Sequence, residues 1–311
     1  MRYIKTTIIL LAAAVTILTG CQPDAQIPEH ANSNRTRTGI SRIAVMAPAV
    51  AEILNALDAI DLIVATGDFV EWPPQVRTLP KIGAYDKPNL ELVLSLKVDL
   101  VVTARSVAAQ KTHERMRDLG IAVLELDTDT YDGVLESMEI VGELVGREGE
   151  ARRLVSDIRE RIGKVSELSS AAPQRSVLFV VGQRPLYVAG PGSHIDLLIE
   201  AAGGRNIFSD AMSTYQLVSM EAALERMPEV IIDVSDNRPG ALRGVKSGFW
   251  GQWNFLPAVN NNRVYWIDPL RLAIPGPRMP EMAELLAKLI HPEIFGAVSD
   301  RDLEAPDNNA R

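Results

Sequence analysis

The sequence predicts an α/β protein of two lobes joined by one long helix. Three observations carry that expectation: one amphipathic stretch, and alternating short strands and helices on each side of it. Across 147–168 apolar residues recur at Ala151, Leu154, Val155, Ile158, Ile162, Val165 and Leu168, the spacing of one helix face. Charged residues occupy the rest of that stretch. Twenty-two helical residues span roughly 33 Å, about the height of a small domain. At 311 residues the chain is long enough for two lobes, each with a sizeable core.

The amino terminus reads as an export signal. Arg2 and Lys5 precede an apolar run, 8–18, that is short for a membrane span. The run ends in Leu18-Thr19-Gly20-Cys21, which resembles the bacterial lipoprotein lipobox. That resemblance implies cleavage after residue 20 and lipidation of Cys21, the only cysteine. Two or more acyl chains anchor a protein stably where one is marginal. With no second cysteine there is no disulfide, and the fold rests on its core. The expected organisation is a leader at 1–20 and a disordered tether at 21–40. A first lobe at 41–146, a connecting helix at 147–170, a second lobe at 171–296 and a disordered tail at 297–311 follow. The net charge of −8, without a basic block, argues against a nucleic-acid partner.

In the first lobe, strands are expected at 41–46, 62–66, 99–103 and 122–126, with helices at 49–57, 90–96, 107–119 and 131–145. Pro48 opens the first helix, and Pro73-Pro74 makes 68–74 a loop. Gly146 separates the last helix from the connecting one. In the second lobe, 176–181 (SVLFVV) reads as a strand buried on both faces of a parallel sheet. Further strands are expected at 186–188, 230–234 and 264–267. Helices are expected at 194–201, 221–226 and 280–290, with a polar loop at 236–248.

No phosphate-binding loop, H-E-x-x-H or G-x-S-x-G motif is present. The histidines lack ligand spacing: His30 lies in the tether, His113 on a polar helix face, and His291 at a helix C-cap. His194, at the turn Gly190-Pro191-Gly192-Ser193, is the one candidate for ligand contact. Aromatics are sparse and many fall in expected loops: Phe69, Trp72, Tyr85, Tyr187, Tyr215, Phe249, Trp250 and Trp253. Loops at the carboxyl ends of strands are where open α/β sheets bind ligands. Tyr85 and Tyr215, from different lobes, are therefore expected to face one another across a cleft.

Several segments in order carry a family resemblance: APAVAEILNAL (47–57), DFVEWPP (68–74), LPKIG (79–83), KPNLELVLSLKVDL (87–100), GGRNIF (203–208) and SMEAALERMPE (219–229). Gly276-Pro277-Arg278 and His291-Pro292-Glu293 complete the set. Together they resemble the substrate-binding proteins of ABC importers for vitamin B12, haem and ferric siderophores. The resemblance implies two Rossmann-like lobes bridged by one helix, the class III periplasmic-binding-protein architecture, with a ligand between them and modest closure. It implies a non-enzymatic, monomeric lipoprotein outside the cytoplasm, serving a permease with its ATPase. No resident cofactor or protein-held metal is expected, because the metal arrives within the chelate. A corrinoid is the first expectation, with ferric siderophore or haem close behind. The rivals are a lipoprotein enzyme or a sensory or scaffold lipoprotein on the same architecture.

The same resemblance assigns residues. Glu91 and Glu221 match the two acidic positions that dock on permease arginines. Phe69, Tyr85 and Tyr215 match cleft aromatics, Asp268 and Arg271 match polar contacts, and Arg105 is placed to meet a carboxylate. Two departures stand out: Ala104 where B12-binding relatives carry tryptophan, and Leu272 where they carry arginine. For haem, Tyr85, Tyr215 or His194 would meet the iron. The cleft His/carboxylate cluster of zinc- and manganese-binding cousins is not visible.

Overall fold

Short Ile/Val/Leu runs build the first sheet: β1 (Ile43–Val45), β2 (Ile63–Thr66), β5 (Leu100–Ala104) and β6 (Ala122–Leu126). They lie in the order β2-β1-β5-β6, all parallel. The connecting helices are α1 (Pro48–Ala56), α2 (Leu90–Ser95), α3 (Gln110–Asp118) and α4 (Tyr131–Val145). A small antiparallel ribbon, β3 (Gly83–Ala84) and β4 (Lys87–Pro88), precedes α2. Gly146, at φ 71°, ends α4 in the left-handed conformation that glycine adopts without penalty. This computed structural model describes residues 39–235, 248–299 and 302. The expected leader, the tether through residue 38 with Cys21 and His30, the loop 236–247 and most of the tail lie outside them, as does the Arg271 side chain.

The connecting helix α5 runs Glu148–Ser169. Ala151, Val155, Ile158, Ile162 and Val165 are buried as expected, and Leu154 is half-buried. Leu168 is a correction: it is 61% exposed, and the next residue, Ser169, turns inward instead. The Ser169 hydroxyl donates to Ala201 O at 2.7 Å, so a polar anchor closes the apolar stripe.

The second sheet is mixed, parallel through its centre with an antiparallel edge. β7 (Arg175–Gln183) pairs parallel with β9 (Gly204–Asn206) and β11 (Val230–Asp233), and β11 with β12 (Val264–Trp266). β8 (Leu186–Ala189) folds back antiparallel on the second half of β7, and β10 (Tyr215–Leu217) pairs antiparallel with β8. The hairpin needs only the two residues Arg184-Pro185, too few for a parallel crossover. The lobe's helices are α6 (His194–Ala201), α7 (Met220–Glu225), α8 (Pro257–Asn260), α9 (Pro269–Leu272), α10 (Met279–Ile290) and α11 (Pro292–Phe295).

Strand alternation decides where the core sits. Ile43 and Val45 face one apolar cluster and Ala44 another; Val177 and Phe179 face that first cluster, and Leu178 and Val180 a third. The first cluster is common to both lobes and includes the inward faces of α1, α4, α5, α6 and α10. One face of each sheet thus covers a shared helical layer, and the other face carries its own lobe's satellite core. The two lobes do not have separate principal cores; they share one.

A buried ion pair joins the lobes through the same layer. Glu52 of α1 is 4% exposed and accepts from Arg278 at the start of α10, Nε to Oε2 at 2.8 Å and Nη2 to Oε1. Burial pushes the Glu52 carboxyl up, and the guanidinium pulls against that shift. Trp72 lies 5.8 Å from the same guanidinium, ring centroid to Cζ. Arg161 of α5 adds a surface clamp, donating to Glu281 and Glu284 of α10 at 2.8 and 3.0 Å.

Candidate ligand-binding cleft

The first lobe brings its aromatic on the β3–β4 ribbon. Gly83 has φ +96°, and a Cβ there would stand 2.9 Å from Lys87 O, so the turn needs glycine. The ribbon is tied down by Asn89 N donating to Ile82 O at 2.7 Å and Thr112 Oγ1 donating to Asp86 O at 3.0 Å. Tyr85 sits at its tip, 44% exposed. Phe69, in the loop after β2, is 67% exposed.

The second lobe brings two rings by strand register. Tyr187 pairs with Leu217 and Tyr215 with Ala189 across β8 and β10. Residues two apart share a face, so both tyrosines stand on one side of the ribbon. Their rings stack at 6.1 Å and 28°. Tyr215 is therefore a strand residue, not the loop residue expected from its setting. Its phenol is pushed up by burial, then by the Asp129 carboxylate and Tyr187. Tyr187 shifts the same way, through burial first, then Asp129 and Tyr85.

His194 is corrected from an open ligand contact to a buried support. It is 1% exposed at the first turn of α6, and its backbone N–H donates to Asp129 O at 3.0 Å across the lobe boundary. Nδ1 lies 3.3 Å from both Asp129 O and the Tyr215 hydroxyl, while buried Nε2 has no partner. Burial drops its pKa to about 4, partly opposed by the Asp129 carbonyl, so the ring is neutral at pH 7. An unpaired buried N–H is costly, so the proton belongs on Nδ1, facing those two oxygens. His113 also departs from the polar face expected of it: it is fully buried, with Nδ1 3.3 Å from Glu125 Oε1. His291 is the C-cap of α10 as expected, buried against Gly203 O and Glu293.

The floor between the lobes is acidic. Burial raises the Asp127 carboxyl, but the N–H groups of Asp129 and Thr130, the Thr130 hydroxyl and Arg105 outweigh it and keep it low. Asp129 is pushed up, by burial and then by Asp127. Arg105 is exposed at the end of β5. The remaining second-lobe assignments change character. Asp268 is half-buried and its Oδ1 accepts from Leu270 N at 2.8 Å, a helix cap rather than an open contact. Leu272 is fully buried in the shared core. Trp250 is 1% exposed, packs against Phe249 and Trp253, and donates Nε1–H to Asp233 at 2.7 Å. It is a core residue, not a loop aromatic.

Tyr187 and Asp129 belong to this constellation although neither was assigned to it from sequence. Only the β8–β10 pairing, which bridges an intervening helix, brings Tyr187 beside Tyr215. Glu91 and Glu221 are exposed in the first turns of α2 and α7, each one residue past the start of a helix capped by Asn89 or Ser219. Among the described residues no group of three or more His, Cys, Asp or Glu is arranged to hold a metal ion.

The chain is 29% identical over 261 residues to an uncharacterized ABC transporter substrate-binding lipoprotein of Bacillus subtilis, covering 82% of this chain and 81% of that one. It is 26% identical over 246 residues to a vitamin B12-binding protein of Vibrio cholerae, covering 78% and 86%. In fold it is similar to the crystal structure of the periplasmic vitamin B12-binding protein of Vibrio cholerae, with TM-score 0.69, 24% identity and coverage of 80% and 96%. The periplasmic haem-binding protein of the same organism gives TM-score 0.69, 23% identity and coverage of 81% and 99%. These likenesses show the two-lobed α/β fold. The periplasmic binding protein family matches residues 43–270, a stretch that includes both sheets and the helix between them, and its members bind and deliver solutes without catalysing a reaction on them. The chain belongs to the periplasmic binding protein family.

Proposed function

We propose that this protein captures a metal chelate between its lobes and delivers it to an ABC permease, with a corrinoid as the leading ligand and ferric siderophore or haem behind it. The observation that carries this reading is the stacked pair Tyr187–Tyr215 on the second lobe, with Tyr85 exposed at the tip of the first-lobe ribbon as its expected counterpart. Aromatic faces suit the flat apolar body of such a chelate. The vitamin B12-binding relatives favour the corrinoid. Thermal shift of the purified protein against cyanocobalamin, cobinamide, hemin and ferric siderophores tests it. Ligand at about 100 times its dissociation constant should stabilise by roughly 2.7 kcal/mol. One selective shift, lost in the Tyr187→Ala/Tyr215→Ala variant, is the expected result. No shift with any chelate would leave the cleft to a sensory or scaffold partner.

Delivery would use Glu91 and Glu221, whose exposed carboxylates stand on different lobes. Two separated charge pairs orient and speed an encounter more than they add affinity. Membrane attachment through Cys21 would hold the protein near the permease, on the extracytoplasmic side. The double variant Glu91→Ala/Glu221→Ala should keep ligand affinity within about twofold and lose permease-dependent uptake; unchanged uptake would remove the docking assignment.

A further inference from the structure

The tip of the β7–β8 hairpin overhangs a recess of about 760 Å³ lined by Gln183, Arg184, Tyr187, Ser235 and Phe249, among others. Tyr187 belongs both to this recess and to the tyrosine stack, so the recess continues the cleft along the second lobe. Arg184 is exposed there, with its guanidinium 5.6 Å from the Phe249 ring centroid. Among the described second-lobe arginines, Arg175, Arg226 and Arg278 are neutralised by Glu293, Asp210 and Glu52, while Arg205 and Arg263 do not line the recess. Among the described residues, Arg184 has no carboxylate partner.

Asp233, at the end of β11, is bonded to two residues of the recess lining, and its carboxylate is occupied. It is 1% exposed and accepts from Gln183 Nε2, Trp250 Nε1, and the N–H and hydroxyl of Ser235. Its charge is thus satisfied inside the lobe, while the guanidinium outside is not. Phe249 lies within cation–π distance of the guanidinium, whose N–H groups have no carboxylate among the described residues. The other wall has the opposite sign, with Asp129 facing the tyrosines from the first lobe.

We infer that Arg184, backed by Phe249, is the anion anchor of the cleft, binding a phosphodiester or carboxylate arm of a chelate whose ring the tyrosines hold. This rests on the chelate-binding reading of the cleft and adds which end of the ligand is recognised. Calorimetric dissociation constants for matched pairs test it: cyanocobalamin with dicyanocobinamide, which lacks the nucleotide phosphodiester, and hemin with its dimethyl ester, which lacks free carboxylates.

Arg184→Gln should weaken whichever armed ligand binds by about ten- to a hundredfold, the usual worth of a charged hydrogen bond. It should leave the armless counterpart within about twofold, and Arg184→Lys should recover part of the loss. The pair that responds identifies the arm. Equal losses for armed and armless ligands, or no loss for either, would overturn the anchor while leaving chelate binding intact. Failure of all four compounds to bind the unmodified protein would overturn the anchor for corrinoid and haem, and failure of the ferric siderophores as well would overturn the chelate reading.

Discussion

Two seams hold the lobes together, and they are built on opposite principles. The rear seam is apolar and closed: α1, α4, α5, α6 and α10 share one core, and its buried ion pair, Glu52–Arg278, is bidentate. The cleft seam is polar and thinly joined. His194 N meets Asp129 O, Thr130 bridges Ser193, and Tyr215 rests against a histidine with an unused buried nitrogen. Apolar packing tolerates no vacancy, whereas a polar seam with unfilled partners leaves room for a ligand to supply contacts. Stability is concentrated at the rear, and the proposed recognition lies at the front.

The largest expected blow falls on the rear seam. Arg278→Ala strands a buried carboxylate and should cost about 3–5 kcal/mol in chemical denaturation. A loss under 1 kcal/mol would mean that the pair is not integral to the seam. His194 gives the next effect, and it appears only in acid. Above pH 6.5 the ring is neutral folded or unfolded; below it the unfolded chain takes a proton that the folded protein refuses until about pH 4. Stability should therefore fall by about 2–3 kcal/mol between pH 6.5 and 4 relative to His194→Asn, whose amide can replace Nδ1–H. Parallel pH profiles for the two proteins would refute the buried neutral ring. The smallest effect belongs to Arg161→Ala. Its pairs with Glu281 and Glu284 are solvent-washed, and the change should be below about 1 kcal/mol and shrink further in high salt.

The rear seam was far more legible in the sequence than the front. Helix periodicity announces α5 and α4 nearly to the residue, because one face of each must be apolar. The slip at Leu168 shows the limit: at a helix end, Ser169 can take the inward place when a backbone carbonyl waits for its hydroxyl. Glu52 carried an unread signal, being the only charge in the first helix and flanked by Ala51 and Ile53, a position that calls for a buried partner. The front seam depends on contacts between distant strands. Nothing local to Tyr187 or Tyr215 reveals that they share a ladder face, and nothing local to His194 reveals that it is covered. Glu91 and Glu221 are legible as first-turn acids, a pattern shared by ordinary helix starts. Only the family pattern separates them.

The shared core has a consequence for signalling. A protein whose lobes are fused through one packed layer has little freedom to report occupancy by changing its outline. Loaded and empty copies would offer a transporter nearly the same spacing of Glu91 and Glu221. If the two glutamates dock as proposed, empty copies would compete for the same berth, and the throughput of uptake would depend on how quickly an unladen protein departs. Selection between full and empty would lie in dwell time at the membrane rather than in silhouette.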